Sequence, residues 1–299
     1  MTQEVPISFP CGGDWLYGML HLPEQPAGRG VLLVVGGPQY RVGSHRQFVL
    51  LARALADAAI PVMRFDYRGM GDSDGEPRTF EQVQSDIRVA IDQFFKRVPG
   101  LRELVLWGLC DAASAALFYA HTDSRVAGLV LANPWVRTET GMAKAYLKHY
   151  YLLRLVDPGL WRKIARGEFD LLAATKSFLQ MILTSVGLTP SATGQEPRGC
   201  TSVPDSPGAT ATETNAGPLP ARMLNGMNAF RGRLLFILSG DDLTAGEFKD
   251  TLSASRAWRK SLQATRVTRR DLPGANHTFS RREWRDQVAH WTQEWVRSW

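Results

Sequence analysis

Residues 103–114 read "ELVLWGLCDAAS", an apolar run that passes through Gly108, Leu109 and Cys110 into small residues. Such a run predicts a strand turning sharply into a helix, because Gly108, Ala112 and Ala113 allow a close approach of backbone to backbone. In the commoner form of this turn, Gly-x-Ser-x-Gly, a serine holds the place of Cys110. Two readings follow. Cys110 is a nucleophile raised on an elbow above a helix N-terminus, where the helix field favours a thiolate, or it is a small buried filler. The flanking sequence has to choose between them.

Outward from this turn the chain alternates. Upstream lie the apolar run "VLLVVGG" (31–37), the helical pattern "RQFVLLARALADAAI" (46–60), the strand "PVMRFDY" (61–67) and a helix from about Phe80 to Val98. Residues 5–22 alternate apolar and polar about "CGGD" and read as a hairpin. Downstream come a helix from near Cys110 and the strand "VAGLVLANP" (126–134), then an interruption. The alternation resumes with "GRLLFILSG" (232–240), a single helix over "FKDTLSASRAWRKSLQ" (248–263), the strand "TRVTRRDL" (265–272) and a last helix from Arg281. Strands that are apolar throughout and alternate with helices predict an α/β fold. The expected form is a mostly parallel central sheet covered by helices on both faces, with an inserted helical cap. The core is assigned to 1–134 and 231–299 and the cap to 135–230. Within the cap, 186–220 is rich in Ser, Thr, Pro, Gly and Ala and is expected to be flexible or disordered. Trp284, Trp291 and Trp295 in the last helix read as packing on the sheet.

Bulk properties bound the function. A chain of 299 residues with 44% hydrophobic and 21% charged content is that of a globular protein, without an apolar run long enough to cross a bilayer. The first residues lack the pattern of a signal peptide, so a cytoplasmic location is expected, with peripheral membrane contact left open. The net charge of +6 is spread widely and no nucleic-acid motif accompanies it. Cys11, Cys110 and Cys200 share no metal-ligand spacing. No metal, organic cofactor or nucleic-acid partner is expected.

The choice for Cys110 turns on whether an acid and a base follow in the right places. The strand "LLFILSG" runs into "DDLTAGEF", offering Asp242, with Asp241 the alternative, and "DLPGANHTFS" places His277 between the last strand and the last helix. The order nucleophile, acid, base, each after a strand, is that of a catalytic triad. The other histidines fall elsewhere: His21 in the hairpin, His45 past the first loop, His121 at a helix end, His149 in the cap and His290 inside the last helix. Ser114, one turn beyond Cys110, would point along the helix and is a poorer nucleophile candidate. The amides of Gly37 and Asp111 are the candidate oxyanion donors. The Asp111 carboxylate, which would disfavour a thiolate if it faced inward, is expected to point outward. "FDYRGMGDSDG" (65–75) supplies Asp66, Arg68 and Ser73 as structural supports near the site. Candidate contacts to substrate or cap are Tyr40, Arg41, Arg137, Tyr146, His149 and Tyr150.

Taken together, these motifs resemble the α/β-hydrolase superfamily over nearly the whole chain. More narrowly, "VVGGPQYRVGSHRQF", "FDYRGMGDS", "GLCDAAS", "NPWVRTE", "YLKHYY", "SGDDLTAGEF" and "NHTFS" are similar to the exosortase A system-associated hydrolase 1 family. The resemblance implies Cys110 as nucleophile, Asp242 as acid and His277 as base, in a setting of bacterial exopolysaccharide and protein-sorting systems. A thiolate nucleophile suits esters and thioesters, so the expected activity is that of an esterase or thioesterase working through an acyl-enzyme. The substrate would be a small acylated molecule, carrier-bound or glycan-linked. Acyl transfer by the same triad, and a non-catalytic binding role, are the alternatives.

Overall fold

The computed structural model describes residues 2–37, 39–136 and 217–299. Eight strands form one sheet: β1 (Gln3–Cys11), β2 (Asp14–Leu22), β3 (Arg29–Val34), β4 (Val62–Phe65), β5 (Glu103–Leu109), β6 (Val126–Ala132), β7 (Arg233–Ser239) and β8 (Val267–Leu272). Their order is β1-β2-β4-β3-β5-β6-β7-β8. β2 runs antiparallel to β1 and β4, and every pairing from β4 to β8 is parallel.

The sheet is double-faced because its central strands are apolar at both parities. Leu32, Val34, Leu104, Leu106, Leu129, Leu131, Leu234 and Phe236 point to one face. Val31, Leu33, Val105, Trp107, Val130, Ala132, Leu235 and Ile237 point to the other. Successive strand residues face opposite ways, so a run with no polar member must be covered twice. The first face is covered by α2 (Gln84–Arg97), α3 (Asp111–Tyr119), α4 (Leu219–Ala229), α5 (Leu243–Ala254) and α6 (Arg256–Leu262). α1 (Gln47–Asp57) and α7 (Arg282–Arg297) cover the second, where Trp295 packs with Val288 and Val296 and Trp284 and Trp291 lie against the same cluster. β1, which alternates exposed and buried residues, has only one face covered.

Two boundaries differ from those the sequence predicts. The compact core resumes at Gly217, not at 231. Helix α4 therefore belongs to the core, burying Met223, Gly226 and Met227, with its Gly226 against the backbone of Leu117 on α3. The single helix expected over 248–263 is two, because Ser255 is extended (φ −110°, ψ 118°) and its side chain accepts the Trp258 amide to start α6. Residues 137–216, within the expected cap, lie outside the described residues, and with them Arg137, Tyr146, His149, Tyr150 and most of the tract expected to be flexible.

Candidate active site

β5 delivers Cys110 to the carboxyl edge of the sheet. Cys110 is the residue between β5 and α3 and has φ 64°, ψ −124°, a conformation that costs a residue with a Cβ on the order of 1–3 kcal/mol. Three backbone hydrogen bonds hold it there. Its N–H donates to the Ala132 carbonyl (2.9 Å), and its own carbonyl accepts the Ala113 and Trp135 amides, both at 3.1 Å. Gly108 explains how the turn closes: a Cβ there would lie 2.6 Å from the backbone of Ala112 and Ala113. The thiol is half-buried at the tip of the elbow. Ser114 is fully buried and spends its hydroxyl on the Trp135 carbonyl (2.7 Å).

β7 leads to Asp242, the candidate acid. Asp242 is the N-cap of α5, accepting the amides of Thr244 (3.3 Å) and Ala245 (3.0 Å). One carboxylate oxygen also lies 2.9 Å from Nδ1 of His277. Burial raises the Asp242 pKa, but the His277 hydrogen bond and charge and the two amides outweigh it and hold the carboxyl below its ordinary value. An ionised carboxylate only accepts, so the proton of this bond is on Nδ1, and in the neutral imidazole Nε2 is the nitrogen that carries the lone pair. Asp241, by contrast, is exposed, with its N–H on the Ala275 carbonyl.

The His277 loop is tied to the strand beside the elbow. Asn133, next in sequence to the Ala132 whose carbonyl holds Cys110, donates to the His277 carbonyl (3.0 Å) and to Ser239 Oγ (2.8 Å). Its own Oδ1 accepts the Ser239 amide (2.8 Å), and Ser239 Oγ donates to the Asn276 carbonyl (2.9 Å). Both side chains are buried. This clasp joins the ends of β6, β7 and β8. The sequence held a signal for it, a polar residue closing the apolar strand "VAGLVLA", since a buried amide needs partners.

The candidate oxyanion donors, Gly37 and Asp111, are arranged otherwise than expected. The Asp111 carboxylate does not point outward. One oxygen accepts the Gly37 N–H (2.8 Å) and the other the Ala112 N–H (2.9 Å). Space for it exists because residue 36 is glycine: a Cβ there would fall 2.0 Å from Asp111 Oδ1. Burial raises the Asp111 pKa, opposed by the amides of Gly37, Ala112 and Asp111 itself and by the His277 charge. The same carboxylate, after burial, helps push the Tyr67 phenol up.

The loop after β4 is a support. Buried Asp66 accepts the Arg41 N–H (2.6 Å) and the Asp72 N–H (3.3 Å) and pairs with the Arg41 guanidinium. Arg68 pairs with buried Asp86 (2.8 Å), and Ser73 Oγ donates to the Asp66 carbonyl (2.6 Å) while accepting the Tyr17 N–H (3.0 Å). Arg41, a candidate for substrate contact, is thus held by Asp66 and by Asp72 (2.6 Å). Tyr40 is exposed. His21 is fully buried, accepts from Arg64 Nε (3.0 Å), and is held at a pKa of about 4 by burial and then by the Arg64 charge. Among the described residues no group of three or more His, Cys, Asp and Glu side chains is placed to hold a metal ion.

Comparison with known proteins agrees with this architecture. A family model described as "Serine aminopeptidase, S33" matches residues 28–169. The human protein ABHD12B is 33% identical over 140 residues, 45% of this chain and 36% of its own. The polyketide transferase GrgF of a Penicillium species is 32% identical over 90 residues, 29% of this chain and 31% of its own. The matches therefore span about a third of the length of these curated relatives. The match to the solved structure of GrgF, described as an alpha/beta hydrolase, covers 98% of both chains with a TM-score of 0.58 at 16% identity. An esterase of Pyrococcus furiosus covers 100% of this chain and 92% of its own, with a TM-score of 0.63 at 12% identity.

Proposed function

We propose, from the premise that the chain has the α/β-hydrolase fold, that it is a hydrolase of esters or thioesters with Cys110 as nucleophile, His277 as base and Asp242 as acid. The observation that carries this reading is the 2.9 Å contact of His277 Nδ1 with Asp242. It stands beside an elbow that holds a cysteine at φ 64°. A merely structural cysteine has no need of a strained backbone, nor of an imidazole, oriented by a carboxylate, on a loop tied through Asn133 to the strand that holds the elbow.

The chemistry follows from the groups in place. His277 Nε2 takes the Cys110 proton and the thiolate attacks the acyl carbon, opening the carbonyl π bond onto oxygen. The amides of Asp111 and Gly37 donate to that oxyanion. Collapse breaks the bond to the leaving alcohol or thiol, which departs with the proton from the imidazolium. Water then loses a proton to His277 and attacks the thioester carbon. The acid product leaves as Cys110 recovers its proton. Asp242 keeps Nδ1 protonated and stabilises the imidazolium at both stages.

The family resemblance adds a setting to the proposal: a cytoplasmic enzyme acting on a carrier-bound or glycan-linked acyl group in exopolysaccharide or protein-sorting systems. Among the described residues no helix is long and apolar enough to cross a membrane. Acyl transfer is the second reading, favoured by the polyketide transferase among the relatives. It needs only an alcohol or thiol acceptor in place of water. Turnover of p-nitrophenyl esters and acyl thioesters by wild type, Cys110→Ala and His277→Ala tests the proposal, with product analysis in the presence and absence of acceptor alcohols and thiols. Turnover lost in both variants supports it; turnover that persists in Cys110→Ala contradicts it. Ligand binding without turnover on any substrate would favour a binding protein.

A further inference from the structure

We infer that the Asp111 side chain is a specificity-determining group that occupies the oxyanion pocket in the resting enzyme, so that only substrates able to displace it are acylated efficiently. This rests on the reading of Cys110 as nucleophile. The observations are independent of that reading. The Gly37 N–H, in the loop after β3, is already taken by an Asp111 oxygen at 2.8 Å. The Ala112 N–H at the start of α3 holds the other oxygen at 2.9 Å. The glycine at 36 leaves the space the carboxylate fills, which any Cβ would remove.

An oxyanion and this carboxylate compete for the same donor, because the Gly37 amide has one hydrogen. The Asp111 carboxyl makes two well-formed amide bonds, at 2.8 and 2.9 Å, whereas a ground-state ester carbonyl is a weaker acceptor. Substrate binding elsewhere on the molecule must therefore supply the energy to turn Asp111 out before the tetrahedral oxygen can be held. Small esters have few such contacts and are disfavoured; larger acyl donors are selected. The device spends binding energy on discrimination, as an induced-fit step does.

The test is the acylation rate of Cys110, followed by rapid quench and intact-protein mass, in wild type, Asp111→Ala and Asp111→Ser. The acyl donors are p-nitrophenyl acetate and p-nitrophenyl decanoate. Iodoacetamide alkylation of the same thiol is the control, since it passes through no oxyanion. Serine keeps a small polar side chain in the first turn of α3 but is shorter than the Asp111 side chain that reaches Gly37, so it keeps the test intact if the alanine variant is poorly folded. Expected is a rise in acetate acylation of about tenfold or more, a smaller rise with decanoate, and a markedly smaller change in alkylation. Acylation of wild type that is unchanged or slowed in both variants would overturn the inference while leaving Cys110 as nucleophile. So would equal increases in acylation and alkylation, which would mean that the carboxylate acts only by its charge on the thiol. No acylation of Cys110 in any of the three proteins would overturn both.

Discussion

Two carboxylates stand at the starts of two helices on the carboxyl edge of the sheet, Asp111 after β5 and Asp242 after β7. Each accepts two backbone amides, and each is raised by burial. Yet Asp242 ends below its ordinary value and Asp111 above it. The difference is the imidazole. His277 bonds directly to Asp242, while Asp111 feels it only as a charge at a distance. A helix N-terminus alone does not decide whether a buried carboxylate is comfortable; a directly bonded cation or donor does. In the proposed mechanism Asp242 orients the base, and Asp111 occupies the Gly37 amide that an oxyanion would need.

The largest effects should come from removing the groups proposed to react. Cys110→Ala and His277→Ala are each expected to lower kcat by at least about 10³-fold, with little further loss in the double variant, because the two act as a unit. Additive losses in a steady-state cycle would separate them. Asp242→Asn should cost roughly 10²–10⁴-fold in kcat with thermal stability little changed, since Asn also caps helices. Asp242→Ala should add a stability loss of about 1 kcal/mol, read as a fall in Tm.

The pH dependence of the two carboxylates should carry opposite signs. Asp242, depressed on folding, contributes stability that is fully present above the ordinary value of 3.8 and lost as pH falls through its lower folded pKa. Asp111, raised on folding, does the reverse: folding favours its protonated form, and the cost of its charge appears as pH rises through its folded pKa. Carboxyl ¹³C shifts followed through an acid titration should show Asp111 taking up its proton first. The opposite order would break the comparison. A smaller effect is expected at the clasp. Asn133→Ala strands the Ser239 amide and should cost about 1–3 kcal/mol, measured by denaturant unfolding, with a loss of activity through the His277 loop. Ser255→Ala, which removes only a long cap bond to Trp258, should cost no more than about 1 kcal/mol.

Much of this was legible in the sequence because it rests on local rules. Runs such as "VLLVV" (31–35) and "LLFIL" (234–238) carry no polar residue, which is enough to demand cover on both faces. "WGLCDAAS" announces its turn by the small residues that let it close. Asp242 and His277 stand at strand ends in chain order, and they meet. What sequence did not give is long-range or directional. The inward turn of Asp111 depends on Gly36, 75 positions earlier in the chain, which a strand pattern presents only as a turn residue. The break at Ser255 is one extended residue in an otherwise helical pattern. Met223 and Met227 carry the periodic face of α4, but it lies beside a Ser/Pro-rich tract that reads as linker.

The central claim, a cysteine-centred acyl-enzyme, is tested most directly by intact mass and peptide mapping of wild-type protein quenched seconds after mixing with an acyl thioester. The account predicts one added acyl mass on the peptide carrying Cys110, absent in Cys110→Ala and strongly slowed in His277→Ala. Turnover with no covalent adduct at Cys110, or an adduct on Ser114 instead, would contradict it.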